Sequence, residues 1–145
     1  MAVVVRRATP RDAEDVLRLL GELGRPEVAD NSRPQREVYL DHLVADDAMI
    51  FVADDLGRLA GLASLWIRPR LNWTTPEAWI PDLYVAVDFR RRGLARALLD
   101  ACVREARRRN CHRLVLESGH ERAAAHQLYE QYGFVHRGRS YGLGL

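Results

Sequence analysis

The residues with the most chemical content form one run, Leu83-Tyr84-Val85-Ala86-Val87-Asp88-Phe89-Arg90-Arg91-Arg92-Gly93-Leu94-Ala95. A strand-like stretch feeds through an arginine and glycine turn into a helical pattern. Where a helix starts, several backbone N–H groups lack an intrahelical acceptor and the dipole is positive, so an anion is welcome there. Gly93 and Ala95 are small enough to let phosphate oxygens reach the main chain, and Arg90, Arg91 and Arg92 add charge. A pyrophosphate suits these features. Alone, an R-x-x-G-x-A hexapeptide is equally what a solvated, basic helix start looks like.

Other chemistries are excluded more firmly. All 22 basic residues are arginine, which removes P-loop and Schiff-base lysines together, and no G-x-G-x-x-G follows a strand. Cys102 and Cys111 have no zinc-ligand spacing and form no disulfide framework, so no metal is expected, and a reducing cytoplasm is the default setting. Net charge is +2, unevenly spread: residues 1–89 hold 10 Arg against 15 Asp and Glu, whereas residues 90–113 hold 9 Arg against 2. Such a basic segment could serve a phosphate backbone. Its arginines, however, border an apolar helical stripe with no interleaved aromatics beyond Phe89, so no nucleic-acid partner is expected.

These residues need a scaffold, and 145 residues at 48% hydrophobic suit one domain, 1–145. The longest apolar run, 48–53, is far too short to span a bilayer, so no membrane partner is expected. A strand at 3–5 precedes a helix opened by Thr9, Pro10 and Asp12 and continued by Val16, Leu17, Leu19, Leu20 and Leu23. Residues 24–34 read as loop and 36–45 as a short helix. The stretches 49–53 and 59–67 flank Asp54-Asp55-Leu56-Gly57, a hairpin signature. Then follow a loop at 68–76, a strand at 78–87, an amphipathic helix at 94–108, a strand at 114–116, a helix at 121–132 and an extended tail from Phe134. This alternation predicts an α/β sandwich with a mixed sheet and flanking helices.

With these elements in place, the chain resembles the GCN5-related N-acetyltransferase (GNAT) family. Val85-Ala-Val87 followed by Arg90-x-x-Gly93-x-Ala95 matches its central motif, with Val87 where a proline is common. Leu128-Tyr129-Glu130-Gln-Tyr-Gly133-Phe134 matches its second motif, in the right order and at a fitting separation. The opening Val-Arg-Arg-Ala-Thr-x-x-Asp and the Asp-Leu-Gly-Arg-Leu-Ala-Gly61 hairpin extend the likeness over essentially the whole chain. One departure is Arg122, where an asparagine is frequent. A similar arginine beside an Ala-His pair, here Ala125-His126, occurs in branches acting on small amines such as the aminoalkylphosphonate acetyltransferases.

The resemblance implies a mostly antiparallel sheet splayed between two strands and flanked by about four helices, with acetyl-CoA as co-substrate and no metal. Backbone amides from Arg90 through Arg91, Arg92, Gly93 and Leu94 to Ala95 would hold the pyrophosphate. The backbone at Leu83 and Val85 would pair with the pantetheine arm, and the Val85 amide would polarise the thioester carbonyl. An alkyl amine is mostly protonated at pH 7 and must lose a proton before attack, directly or through water. Asp82 and Glu117 are the candidate bases, although a salt-bridged acid is the plainer reading of either. Tyr129, aligned with the family's tyrosine, would protonate the departing thiolate, since a phenol keeps its proton at neutral pH; a tyrosine on an amphipathic helix is otherwise a core residue. His120 and His126 are candidate proton relays, and Arg68, Arg70 and Trp73 candidate acceptor contacts. The implied acceptor is a primary amine on a small molecule, with a protein N-terminus or side-chain amine as the alternative, or a module that binds acyl-CoA without turnover. A homodimer is a frequent family arrangement.

Overall fold

The computed structural model describes residues 3–25, 28, 32–117, 123–138 and 140–145. They fall into two compact units, Met1–Val115 and Leu116–Leu145. In the first, strands β1 (Val3–Arg7), β2 (Ala48–Asp55) and β3 (Arg58–Arg68) are joined in antiparallel register. The β2–β3 turn places Leu56 and Gly57 at positive φ (51° and 96°), and the Gly57 N–H donates to Asp54 Oδ1 at 2.7 Å. This is a tight reversal with both central residues left-handed, as the hairpin signature requires.

Beyond β3 the expected strand at 78–87 is two strands. β4 (Glu77–Ile80) and β5 (Leu83–Val85) both pair antiparallel with β3. Trp66 faces Trp79 and Ile67 faces Ala78, whereas Ala63 faces Leu83 and Gly61 faces Val85, so the register moves by one residue between the two. That is a β-bulge centred on Pro81, whose missing N–H cannot be orphaned by the interruption. β6 (Arg113–Leu116) lies beside β4, giving the order β1-β2-β3-β4-β6, and β5 pairs with β3 alone. The sheet is therefore open along the outer edge of β5, and the expected α/β class with a mostly antiparallel, splayed sheet holds among the described residues.

Residues 48–53 of β2 and 59–65 of β3 are buried without interruption. Successive strand residues point to opposite faces, so both faces of the sheet are covered. Helices α1 (Ala13–Leu23) and α3 (Leu94–Arg108) pack on β3 and β5, and α2 (Arg33–Val44) packs on β2 and α1. The helix α2 starts three residues earlier than its apolar periodicity indicates. Ser32 accepts the Gln35 N–H at 3.4 Å and Pro34 occupies the first turn, so Pro34 belongs to a helix start and not to the loop. α3 carries fully buried Leu98, Leu99 and Cys102, each large aliphatic contributing about 2 kcal/mol by burial. Burial also pushes the Cys102 thiol up to about 12, and Cys111 rises for the same reason.

The second unit holds α4 (Ala123–Tyr132) with Tyr129 buried. The helix stops at Gly133 (φ 117°), where the N–H groups of Gly133 and Phe134 both return to the Tyr129 carbonyl, at 3.2 and 2.9 Å. Among the described residues the tail beyond Phe134 forms no strand. The extended appearance of that tail reflects glycines alternating with exposed Tyr141, Leu143 and Leu145.

Candidate active site

Antiparallel pairing decides which amides of β5 are available. The Ser64 N–H donates to the Asp82 carbonyl at 2.9 Å and the Ala86 N–H to the Ala60 carbonyl at 2.8 Å. Hydrogen-bonded and non-bonded pairs alternate along such a ladder. Tyr84 opposite Leu62 is thus turned toward β3, whereas Leu83 and Val85 direct their N–H and C=O groups to the open edge. The Val85 carbonyl there accepts Arg90 Nε at 3.1 Å. Its N–H faces the gap.

Leaving β5, the chain makes a 3-10 turn (Val87–Phe89) and reaches α3 through residues 90–93. Arg91 has φ 63° and Gly93 φ 75°, the latter as the N-cap of α3. Left-handed residues in a turn at a helix start roll successive N–H groups onto one concave surface, a site for an anion. Among the described residues none of the amides of Arg91, Arg92, Gly93, Leu94 and Ala95 donates to a backbone or side-chain acceptor. A Cβ on Gly93 would meet no protein atom within 4 Å, so within the chain itself it is the positive φ that calls for glycine. Holding Arg91 left-handed costs about 1–2 kcal/mol, the kind of local strain found at ligand-binding turns.

The arginines around this turn are ordered by aromatic rings and acids. The Arg90 guanidinium lies 5.7 Å from the Tyr84 ring centroid, and Arg58 and Arg92 lie 5.0 and 5.4 Å from that of Phe89. Tyr84 donates its hydroxyl to Glu22 Oε1 at 3.2 Å, and Arg18 holds Glu22 at 2.8 Å. Burial, and then the neighbouring Glu22, push the Tyr84 phenol up, so it stays protonated.

The expected site residues thus fall into two sets. Leu83, Val85 and residues 90–95 come together as one continuous surface in the first unit, with Asp82 at its near end. Tyr129 and Glu117 belong to the second unit. There the Tyr129 ring stands edge-on to Phe134 at 6.0 Å, and Glu117 is exposed at the end of β6. His126 is described on α4, whereas His120 and Arg122 lie outside the described residues.

Asp82 accepts one side-chain hydrogen bond on each carboxylate oxygen. Its Oδ1 accepts Arg25 Nε at 3.0 Å and its Oδ2 accepts the Ser64 hydroxyl at 2.8 Å. Neither Arg25 nor Ser64 stands out by motif, although a serine inside the apolar run of β3 is a signal in itself. Arg68 and Arg70 already hold a carboxylate of the chain itself. Both reach Glu77, at 2.8 and 3.4 Å, and Arg113 binds its other oxygen. Glu77 is 1% exposed; burial alone would push its carboxyl up, and the hydrogen bonds from Arg113 and Arg68 outweigh that and bring it down. Trp73 stacks on His112, ring centroids 4.1 Å apart.

Comparison with known proteins fits this geometry. A family model described as the acetyltransferase (GNAT) family matches residues 15–134. Among solved structures, a transcriptional regulator from Bacillus halodurans C-125 superposes with a TM-score of 0.92 at 21% identity, covering 99% of each chain. An acetyltransferase from Trypanosoma brucei superposes at 0.85 with 26% identity, again over 99% of both chains. An aminoglycoside N-acetyltransferase, AAC(6')-Iy, in complex with CoA gives 0.83 at 22% identity over 99% of this chain and 94% of that one. A search of curated proteins found no match. Among the described residues no helix is long and apolar enough to cross a membrane, and no three His, Cys, Asp or Glu side chains cluster so as to hold a metal ion.

Proposed function

The chain belongs to the GNAT acetyltransferase family and is an acetyl-CoA-dependent N-acetyltransferase; from that premise we propose that it acetylates a primary amine on a small molecule by direct attack on the thioester. The carrying observation is the continuity of the open β5 edge with the amide-rich turn. Outward amides at Leu83 and Val85 suit an extended pantetheine arm, and unpaired amides at 91–95 suit the pyrophosphate. The Val85 N–H would stabilise the oxyanion that forms as the amine adds to the carbonyl.

The incoming ammonium must first shed a proton. In our reading Asp82 is held in place by Arg25 and Ser64, and that proton passes to water or to Glu117. The departing thiolate would take a proton from Tyr129, whose place in Leu128-Tyr129-Glu130 supports the assignment. For the acceptor, the CoA-bound aminoglycoside acetyltransferase shares the fold, and the Ala125-His126 pair points to the same small-amine class.

The test is direct. Acetyl-CoA at ~100 times its dissociation constant should stabilise the protein by about 2.7 kcal/mol, roughly 5–10 °C in Tm, and a panel of amines should identify the acceptor by release of free thiol. No shift with acetyl-CoA or CoA would refute the site. Tight DNA binding with a log-log salt slope of about −0.9 per phosphate contacted, in the absence of any CoA shift, would favour the nucleic-acid reading.

A further inference from the structure

We propose that Arg25, Asp82 and Ser64 form a clasp that sets the bulge between β4 and β5 and thereby selects which amides of β5 face the open edge; Asp82 is then a positioning residue. The inference rests on the function proposed above. Its basis is the way three side chains satisfy the polar groups that the bulge displaces. Asp82 N–H donates to Ser64 Oγ at 3.1 Å, and the same hydroxyl donates to Asp82 Oδ2 at 2.8 Å. Arg25 closes the other side, with Nε on Asp82 Oδ1 at 3.0 Å and a terminal nitrogen on the Pro81 carbonyl at 3.1 Å.

Ser64 is 6% exposed in a strand otherwise filled with apolar side chains. Burying a hydroxyl is costly unless it is bonded, and its two bonds here both go to Asp82. Arg25 follows directly on Gly24, the left-handed cap of α1, so the clasp ties the end of that helix to the bulge. The stakes follow from the period of two in a strand. A slip of one residue turns every side chain to the other face and exchanges bonded amides for free ones. Leu83 and Val85 would then point at β3 and Tyr84 at the gap. The clasp holds the register in which Leu83 and Val85 face outward, and it fixes the Asp82 carboxylate against Arg25 and Ser64.

Ser64→Ala, Arg25→Ala, Arg25→Lys and Asp82→Asn are compared in the full chain. Ser64→Ala and Arg25→Ala should each lower kcat about tenfold or more and weaken, without abolishing, the stabilisation by CoA, because the pantetheine-facing amides are disturbed while residues 90–95 are untouched. Arg25→Lys should recover much of the loss. Asp82→Asn should match the other two without changing the shape of the pH profile, and the Arg25→Ala/Asp82→Asn double variant should be no worse than either single. Amide hydrogen exchange reads the register without turnover: Leu83 and Val85 should exchange fast and Tyr84 slowly in the native chain, and this contrast should fade in Ser64→Ala. An unchanged exchange pattern in Ser64→Ala and Arg25→Ala overturns the clasp. So does full kcat in both while Asp82→Asn alone collapses with an altered pH profile, which would make Asp82 the base. A native chain that neither binds CoA nor transfers acetyl groups refutes the underlying function instead, and the exchange pattern still decides the clasp.

Discussion

Tyr129 and Gly93 carry the sharpest predictions at the scale of single residues. Tyr129→Phe removes one hydroxyl and almost no volume, so packing against Phe134 and affinity for acetyl-CoA should survive. General acid catalysis is worth about 10²- to 10⁴-fold, and single-turnover kcat with one acceptor should fall by that factor; a variant keeping more than about half the native rate would leave water as the proton donor. Gly93→Val forces a β-branched residue into φ 75°, at a cost of about 1–2 kcal/mol or more. A melt should show a still-folded protein that acetyl-CoA no longer stabilises. Both residues were legible as members of a motif, Gly93 as the small residue of the arginine turn and Tyr129 because the helix around it matches a family pattern; the left-handed φ of Gly93 was not. Ser64 and Arg25 were not, since their partner lies 18 and 57 positions away respectively and no local rule connects them.

At the scale of elements, periodicity was a sound guide wherever one face is buried. The stripe of Leu94, Leu98, Ala101 and Cys102 defined α3 to its observed bounds, and the Asp-Asp-Leu-Gly turn defined the hairpin. The central strand was read as continuous because its apolar content runs through Pro81, although a proline inside a strand marks a bulge or an edge. The carboxylate that the loop arginines hold was hidden for a related reason. Arg68 and Arg70 look solvated or substrate-directed until β4 brings Glu77 beneath them. Glu77→Gln preserves shape and removes the charge that three guanidinium groups share, so β4 and its neighbours should loosen. We expect a loss of about 3 kcal/mol in urea unfolding, the low end for breaking a buried ion pair because the arginines keep some solvent. Affinity for CoA in the folded protein should stay near native.

Across the whole molecule, pH acts through carboxylates that folding makes more acidic. The Arg6 guanidinium holds Asp12 below its ordinary range, Arg113 and Arg68 do so for Glu77 against its burial, and Arg108 with Arg109 brings Glu105 down to about 2. Each therefore contributes stability that is fully present above the unfolded carboxylate value near 4 and is lost as pH falls through the folded value. The unfolding free energy should be flat from neutral pH down to about 5 and drop steeply between about 4 and 2; a decline centred above pH 6 would contradict these pairings. The buried face of α3 also bears on how turnover can be followed. A coloured aromatic disulfide that reports liberated coenzyme thiol reacts only with thiolates it can reach, and Cys102 is both enclosed and pushed up to about 12. The native protein should thus contribute little absorbance from that residue during turnover. In denaturant it should release the missing thiol equivalent, and the rate of its appearance then times the opening of α3.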